Sequence, residues 1–219
     1  MANRDKAQKG PQLSKTAEAY RLSFVKNVHS LVASGFARLD APKLVSSEEP
    51  DITGLLVDAI RAYVQSPRAP AWAVHFAIHD DPPLSTGVKL GKRRPRVDIE
   101  FERTQAGKRP RFQFEAKRLY IHSGVAEYTG KDGLGCFISG RYAAGHPDAG
   151  MLGYVQSESV SAWTVKVQKG LDNDRRKFRI KVNGPIWTQS KFGSHSVYCS
   201  VHRRRSGPIS VYHSFLKCC

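Results

Sequence analysis

Two alternating stretches joined by a short turn-rich segment restrict the fold of this chain more than anything else in it. In RVDIEFER (96–103), Val97, Ile99 and Phe101 alternate with Asp98, Glu100 and Glu102. In FQFEAKRL (112–119), Phe112, Phe114 and Ala116 alternate with Gln113, Glu115 and Lys117. Successive side chains of a strand point to opposite faces, so each stretch has one apolar face to bury and one polar row. TQAGKRP (104–110) supplies the Gly and Pro of a hairpin loop. Paired so that Glu100 faces Gln113, the hairpin sets Asp98 opposite Glu115 and Arg96 opposite Lys117. Directly opposed Cβ atoms lie about 4.5–5.5 Å apart, and like charges there are destabilising. Asp98 and Glu115 therefore call for a divalent cation, a shared proton, or neutralisation by Lys117 and Arg96.

The surrounding pattern is that of a mixed α/β chain. Residues 13–35 read as a helix ending near Gly35. In SSEEPDITGLLVDAIRAYV (46–64), Ile52, Leu55, Leu56, Ala59, Ile60 and Tyr63 recur at helical spacing. AWAVHFAIHDDPP (71–83) reads as a strand stopped by its prolines. A short helix is expected around GLGCFISGRYA, a strand at 150–155 and a helix at 159–171. KFRIKVNG, HSVYCSVHR and PISVYHSFL then read as strands. The expected fold is α/β, a mixed central sheet flanked by helices. Residues 1–12 read as a basic flexible tail and 13–219 as one domain, with a core at about 46–155 and a β-rich extension at 156–219.

Asp98, a hairpin, and then Glu115-Ala116-Lys117 resemble the signature of the PD-(D/E)XK nuclease superfamily, whose restriction-endonuclease-like core runs helix, three strands, helix, strand. Val97 stands where the family name has proline. Gln113 extends the match to Gln-x-Glu-x-Lys, and Glu49 (or Glu48) takes the place of a helix glutamate found in many members. The resemblance covers about 46–155. It implies Mg²⁺, with Mn²⁺ able to substitute, bound by Asp98, Glu115, the Ala116 carbonyl and Glu49. It implies that Lys117 orients the attacking water or stabilises charge on the phosphate, with Gln113 on the same face. Ser46-x-x-Glu49 is also a capping box, which would explain Glu49 without catalysis.

Charge points the same way. Lys and Arg number 35 against 19 acids, a net charge of +16, which favours a polyanionic partner. Lys92, Arg93, Arg94 and Arg96 on one side of the acidic strands, and Lys108, Arg109 and Arg111 on the other, are candidate phosphate contacts. Lys131 and Arg141, in a glycine-rich stretch, are further ones; DNDRRK and HRRR are weaker. GVKLGKR lacks the spacing of a nucleotide-binding loop. His202 and His213 read as buried, hydrogen-bonded strand residues. The four cysteines form no CxxC pair, so neither a zinc knuckle nor a disulfide framework is expected.

The function expected is metal-dependent cleavage of DNA, as an endonuclease of microbial genome defence or of a mobile element. It would act in the cytoplasm, as a homodimer or with defence-system partner proteins, and with no membrane segment. A non-cleaving module that binds nucleic acid or protein, and an RNA nuclease, are the alternatives.

Overall fold

The computed structural model of the chain describes residues 15–84, 91–104, 109–121, 124–192 and 195–219. The basic tail at 1–12 and Lys108 lie outside them.

Among the described residues, seven strands form one sheet in the order β1-β2-β3-β4-β7-β6-β5. They are β1 (Phe76–Asp80), β2 (Ile99–Arg103), β3 (Arg111–Leu119), β4 (Asp148–Val155), β5 (Thr188–Phe192), β6 (His195–His202) and β7 (Ile209–Lys217). The pairs β3–β4 and β4–β7 are parallel and the others antiparallel. Helices α1 (Lys15–Phe36) and α2 (Glu49–Val64) bury one face, against Phe112, Phe114 and Ala116 of β3. Helices α3 (Val125–Thr129), α4 (Leu134–Ile138) and α5 (Val160–Asn173) cover the other, with Leu119, Met151, Val211 and Phe215. Among the described residues, no helix is long and apolar enough to cross a membrane.

The order α2, β1–β3, α3 and α4, β4 is the expected helix, three strands, helix and strand, and the expected mixed α/β fold is present. The hairpin register also holds: Glu100 pairs with Gln113 and Ile99 with Phe114. It stops there: the expected pairs Asp98–Glu115 and Arg96–Lys117 are absent from the ladder, and Asp98 instead reaches the β3 backbone through its side chain, at Ala116 N. Arg96 makes only an isolated bridge with Pro83, so β2 starts at Ile99 rather than at Arg96.

Other expectations are corrected. The strand expected from Ala71 begins at Phe76, after a 3₁₀ turn over Ala71–His75. Leu55 is exposed, while Thr53 and Val57 are buried, so the buried stripe of α2 is rotated toward β4. The first helix does end near Gly35, at Phe36, and Gly35 lies at the α1–α2 crossing, where an added Cβ would collide with Ile60. KFRIKVNG is no strand: Arg175 Nη1 donates to the carbonyls of Lys181, Val182 and Gly184, occupying acceptors that a ladder would need. β5 is an added strand with no signal in the residues, because TQSKF is almost all exposed and shows no apolar alternation. Its lysine and polar residues suit the edge of a sheet.

Candidate active site

Where the β2–β3 ladder ends, the backbone N–H of Ala116 has no strand partner from β2. Asp98 takes it: Oδ2 accepts from Ala116 N at 2.6 Å. The Asp98 carbonyl meanwhile accepts from Asp81 N at 2.9 Å, tying the segment before β2 to the end of β1. Glu115 and Lys117 are two apart on β3 and share the face opposite Phe114 and Ala116.

Lys117 is the hub. Its Nζ donates to Glu115 Oε1 at 2.8 Å, Glu49 Oε1 at 2.9 Å and the Ala116 carbonyl at 2.6 Å. Glu49, the first residue of α2, uses its other oxygen to accept from Arg118 N at 3.2 Å. Glu48 turns outward to Arg118, so Glu49 is the helix acid that reaches the cluster. The expected capping box is absent: the residue before α2 is Glu48, and it makes no side-chain cap.

Two carboxylates and a backbone carbonyl thus surround one ammonium in a largely covered place, with the Asp98 carboxylate beside them on Ala116 N. Burial first, and then the Asp98 charge, pushes Glu115 up to about 8. Burial likewise raises Asp98 to about 6, against the opposing pull of the Ala116 N–H and Lys117. The neighbouring carboxylates hold Lys117 above its usual value despite burial. Arg96 does not take part: it pairs with Asp81 at 2.6 Å, so neutralisation falls to Lys117 alone of the two cations expected there.

A cleft of about 320 Å³ opens beside the cluster, lined by Glu49, Thr53, Asp80, Asp81 and Asp98. Thr53 Oγ1 lines it, donating to Glu49 O at 2.8 Å and accepting from Tyr154 OH of β4 at 3.0 Å. Asp80, Asp81 and Thr53 are site residues that sequence reasoning does not single out. The available signal is HDDPP, two acids at a strand end just before prolines, which by itself reads only as a stop.

The donor set fits a divalent cation. Carboxylate and carbonyl oxygens are hard ligands of the kind Mg²⁺ and Mn²⁺ take. Glu115, Glu49 and Ala116 already aim oxygens at one positive charge, Lys117 Nζ. Asp98 would be the fourth donor.

Gln113 stands apart from this cluster. It is buried, donating Nε2 to Glu100 Oε2 at 2.6 Å and accepting from Ala143 N at 2.7 Å. A second group, His79, Glu100 and Glu102, brings its ligand atoms within 4.8 Å of one another. Its acids are already engaged by Arg111, at 3.4 Å to Glu100 and 3.2 Å to Glu102, and by Arg109 at 3.3 Å.

The expected phosphate contacts are scattered in their present engagements. Arg109 and Arg111 pair with those acids, Arg96 with Asp81, and Arg141 with Asp132 at 2.8 Å. All four of these side chains keep partial exposure. Lys92 and Arg93 are exposed on a 3₁₀ turn just before β2, with Arg94 half-buried beside them. Lys131 is exposed and shares a hollow of about 310 Å³ with Lys117.

His202 and His213 are fully buried and hydrogen-bonded, as the strand pattern implies. Compared with protein-family models, curated proteins and solved structures, the chain matches none of them.

Proposed function

We propose that this protein is a Mg²⁺-dependent nuclease that hydrolyses phosphodiester bonds in DNA, with Asp98, Glu115, Lys117 and Glu49 as its working residues. One observation carries the reading. Carboxylates from α2 and β3 converge on a single ammonium with the Asp98 carboxylate beside them, and burial pushes Asp98 and Glu115 above their usual range. Burial and like charge are combined in this way where a protein needs reactive or ion-binding groups. The resemblance of Asp98…Glu115-Ala116-Lys117 to the PD-(D/E)XK signature supports the same assignment.

A divalent ion bound by Asp98, Glu115, Glu49 and the Ala116 carbonyl would polarise a phosphodiester and lower the pKa of a water. The chain's own groups do the rest. Asp98 is oriented by Ala116 N–H, and Glu49 by Arg118 N–H, so both carboxylates keep their aim without Lys117. Lys117, relieved of Glu115, presents its ammonium to the negative charge that grows on the phosphate oxygens; in a dry site such a cation is worth more than in water. Exposed Lys92, Arg93 and Lys131 would hold flanking phosphates.

The test is incubation of the purified protein with plasmid, linear duplex, single-stranded DNA and RNA, in Mg²⁺ or in EDTA. Cleavage of DNA in Mg²⁺ that is lost in EDTA and in Lys117→Ala, with binding retained, is the expected result. Binding without cutting in any condition would turn the reading to a non-cleaving module. Cutting of RNA alone would turn it to an RNA nuclease, and unchanged activity in Asp98→Ala would overturn the site.

A further inference from the structure

Beside the cluster lies a second cavity, of about 430 Å³, within the size range of small-ligand pockets. Its floor is Glu100 and Gln113, each two residues from a member of the proposed site, Asp98 and Glu115, on strands whose side chains alternate between faces. The floor is therefore on the same sheet face, about 7 Å along from the carboxylates by strand rise. Arg111 stands at its rim, half-exposed. Glu100 and Gln113 are buried.

The opposite wall is a built loop. Ala143, at φ 50°, adopts a left-handed backbone that a non-glycine residue takes at a cost of roughly 1–2 kcal/mol. Its N–H is held by Gln113 Oε1 at 2.7 Å, and its carbonyl by Arg204 Nη1 at 3.0 Å. Arg204 also holds the His146 carbonyl through Nη2 at 2.8 Å. Two distant side chains thus clamp a strained loop against β3, and strain held by surrounding structure concentrates at ligand-binding places. Gln113 is therefore a positioning residue, carrying the loop that walls the cavity.

We propose that this cavity is a subsite for one unstacked nucleotide of the strand being cut, with its phosphate on Arg111 and its base edge toward the Glu100 carboxylate. The proposal rests on the nuclease reading for the word "cut", and on the cavity for the binding. A carboxylate only accepts hydrogen bonds, so it favours a base with an exocyclic amine, such as cytosine, over thymine. Gln113 Nε2 holds one oxygen of the Glu100 carboxylate and Arg111 lies 3.4 Å from the other, so the base amine would take that second oxygen as Arg111 turns to the phosphate.

The experiment is fluorescence anisotropy in EDTA with labelled oligo(dC) and oligo(dT), using wild type, Ala144→Trp and Glu100→Gln. Ala144 is exposed at the cavity wall, so tryptophan there fills the space with little risk to the fold; melting curves verify each variant. Wild type is expected to bind oligo(dC) roughly tenfold tighter than oligo(dT), the size of one base-edge contact. Ala144→Trp should lose that preference and weaken both, and Glu100→Gln should lose the preference. Equal binding of the two oligomers by wild type, or a preference untouched by Ala144→Trp, would overturn the subsite. A preference that obeys these variants in a protein that never cuts would sustain the subsite while the nuclease reading fails.

Discussion

Two buried polar clusters sit on the same side of the sheet and differ in one respect. In the extension, His202 Nδ1 meets the Phe178 carbonyl at 2.6 Å, so that nitrogen carries the proton and Nε2 accepts. Ser200 Oγ must then donate to His202 Nε2, at 2.6 Å, and accept from His213 Nε2, at 2.8 Å. His213 Nδ1 is left as an acceptor, which Tyr128 OH serves at 3.0 Å. Every group in this network is neutral and partnered, and burial holds His202 down to about 4 and His213 to about 3. The cluster around Lys117 has three carboxylates for one ammonium, and burial raises two of them. A closed, neutral network joins α3 to β6 and β7; an overcharged one relieves its like charges by taking up a proton or a cation.

That contrast breaks in a definite order of effect. Asp98→Asn should reduce cleavage on the order of 10³-fold while melting no lower than wild type, because a buried like charge is removed and the amide oxygen still accepts from the Ala116 N–H. Circular dichroism melting beside a plasmid-cleavage assay reads both. Ser200→Ala should do the reverse. It orphans two ring nitrogens and costs about 2–5 kcal/mol in urea unfolding, with turnover of the folded fraction unchanged.

Mg²⁺ at a hundredfold excess over its Kd should stabilise wild type by about 2.7 kcal/mol and Glu115→Gln by far less, measured as the shift in unfolding midpoint. The pH signs are opposite for the two clusters. Asp98 and Glu115 have native values above their unfolded ones, so the native state binds more protons between about pH 4 and 8, and their contribution to metal-free stability falls as pH rises through that window. His202 and His213 have native values below 6.5, so their contribution is whole above that pH and is lost as pH falls toward 3. Glu115→Gln should therefore flatten the fall of stability between about pH 6.5 and 8 and steepen its rise between about pH 4.5 and 6.5, where the histidines' contribution is no longer opposed. Smallest of all, Tyr128→Phe should cost about 1–3 kcal/mol by leaving His213 Nδ1 without its donor, with no effect on metal binding.

Much of this is legible in the residues. Period-two alternation and a turn of known chemistry are local properties, so the β2–β3 hairpin, its register and the shared face of Glu115 and Lys117 can be read directly. The buried histidines follow from the same periodicity in β6 and β7. Glu49 is legible as a helix acid, though its partner Lys117, 68 positions away, is not. Asp80 and Asp81 are hidden because their place in the cleft depends on how β1 ends against β2. Gln113 carries the polar face in sequence, yet its partners, Glu100 across the strand and Ala143 in a remote loop, show it to be a clamp on that loop.

The amino-acid order by itself determined the strands' faces, the hairpin and the spacing of acid, acid and lysine, since these repeat with the geometry of one or two chain segments. Only the tertiary structure decided which carboxylates meet, how deeply each is covered, and hence that Glu115 is raised to about 8 while Lys117 stays charged beside it. The physical reason is that a carboxyl's protonation depends on what lies over it and which charges face it. Those neighbours come from α2, β1 and the loop after α4, elements that no local pattern brings together.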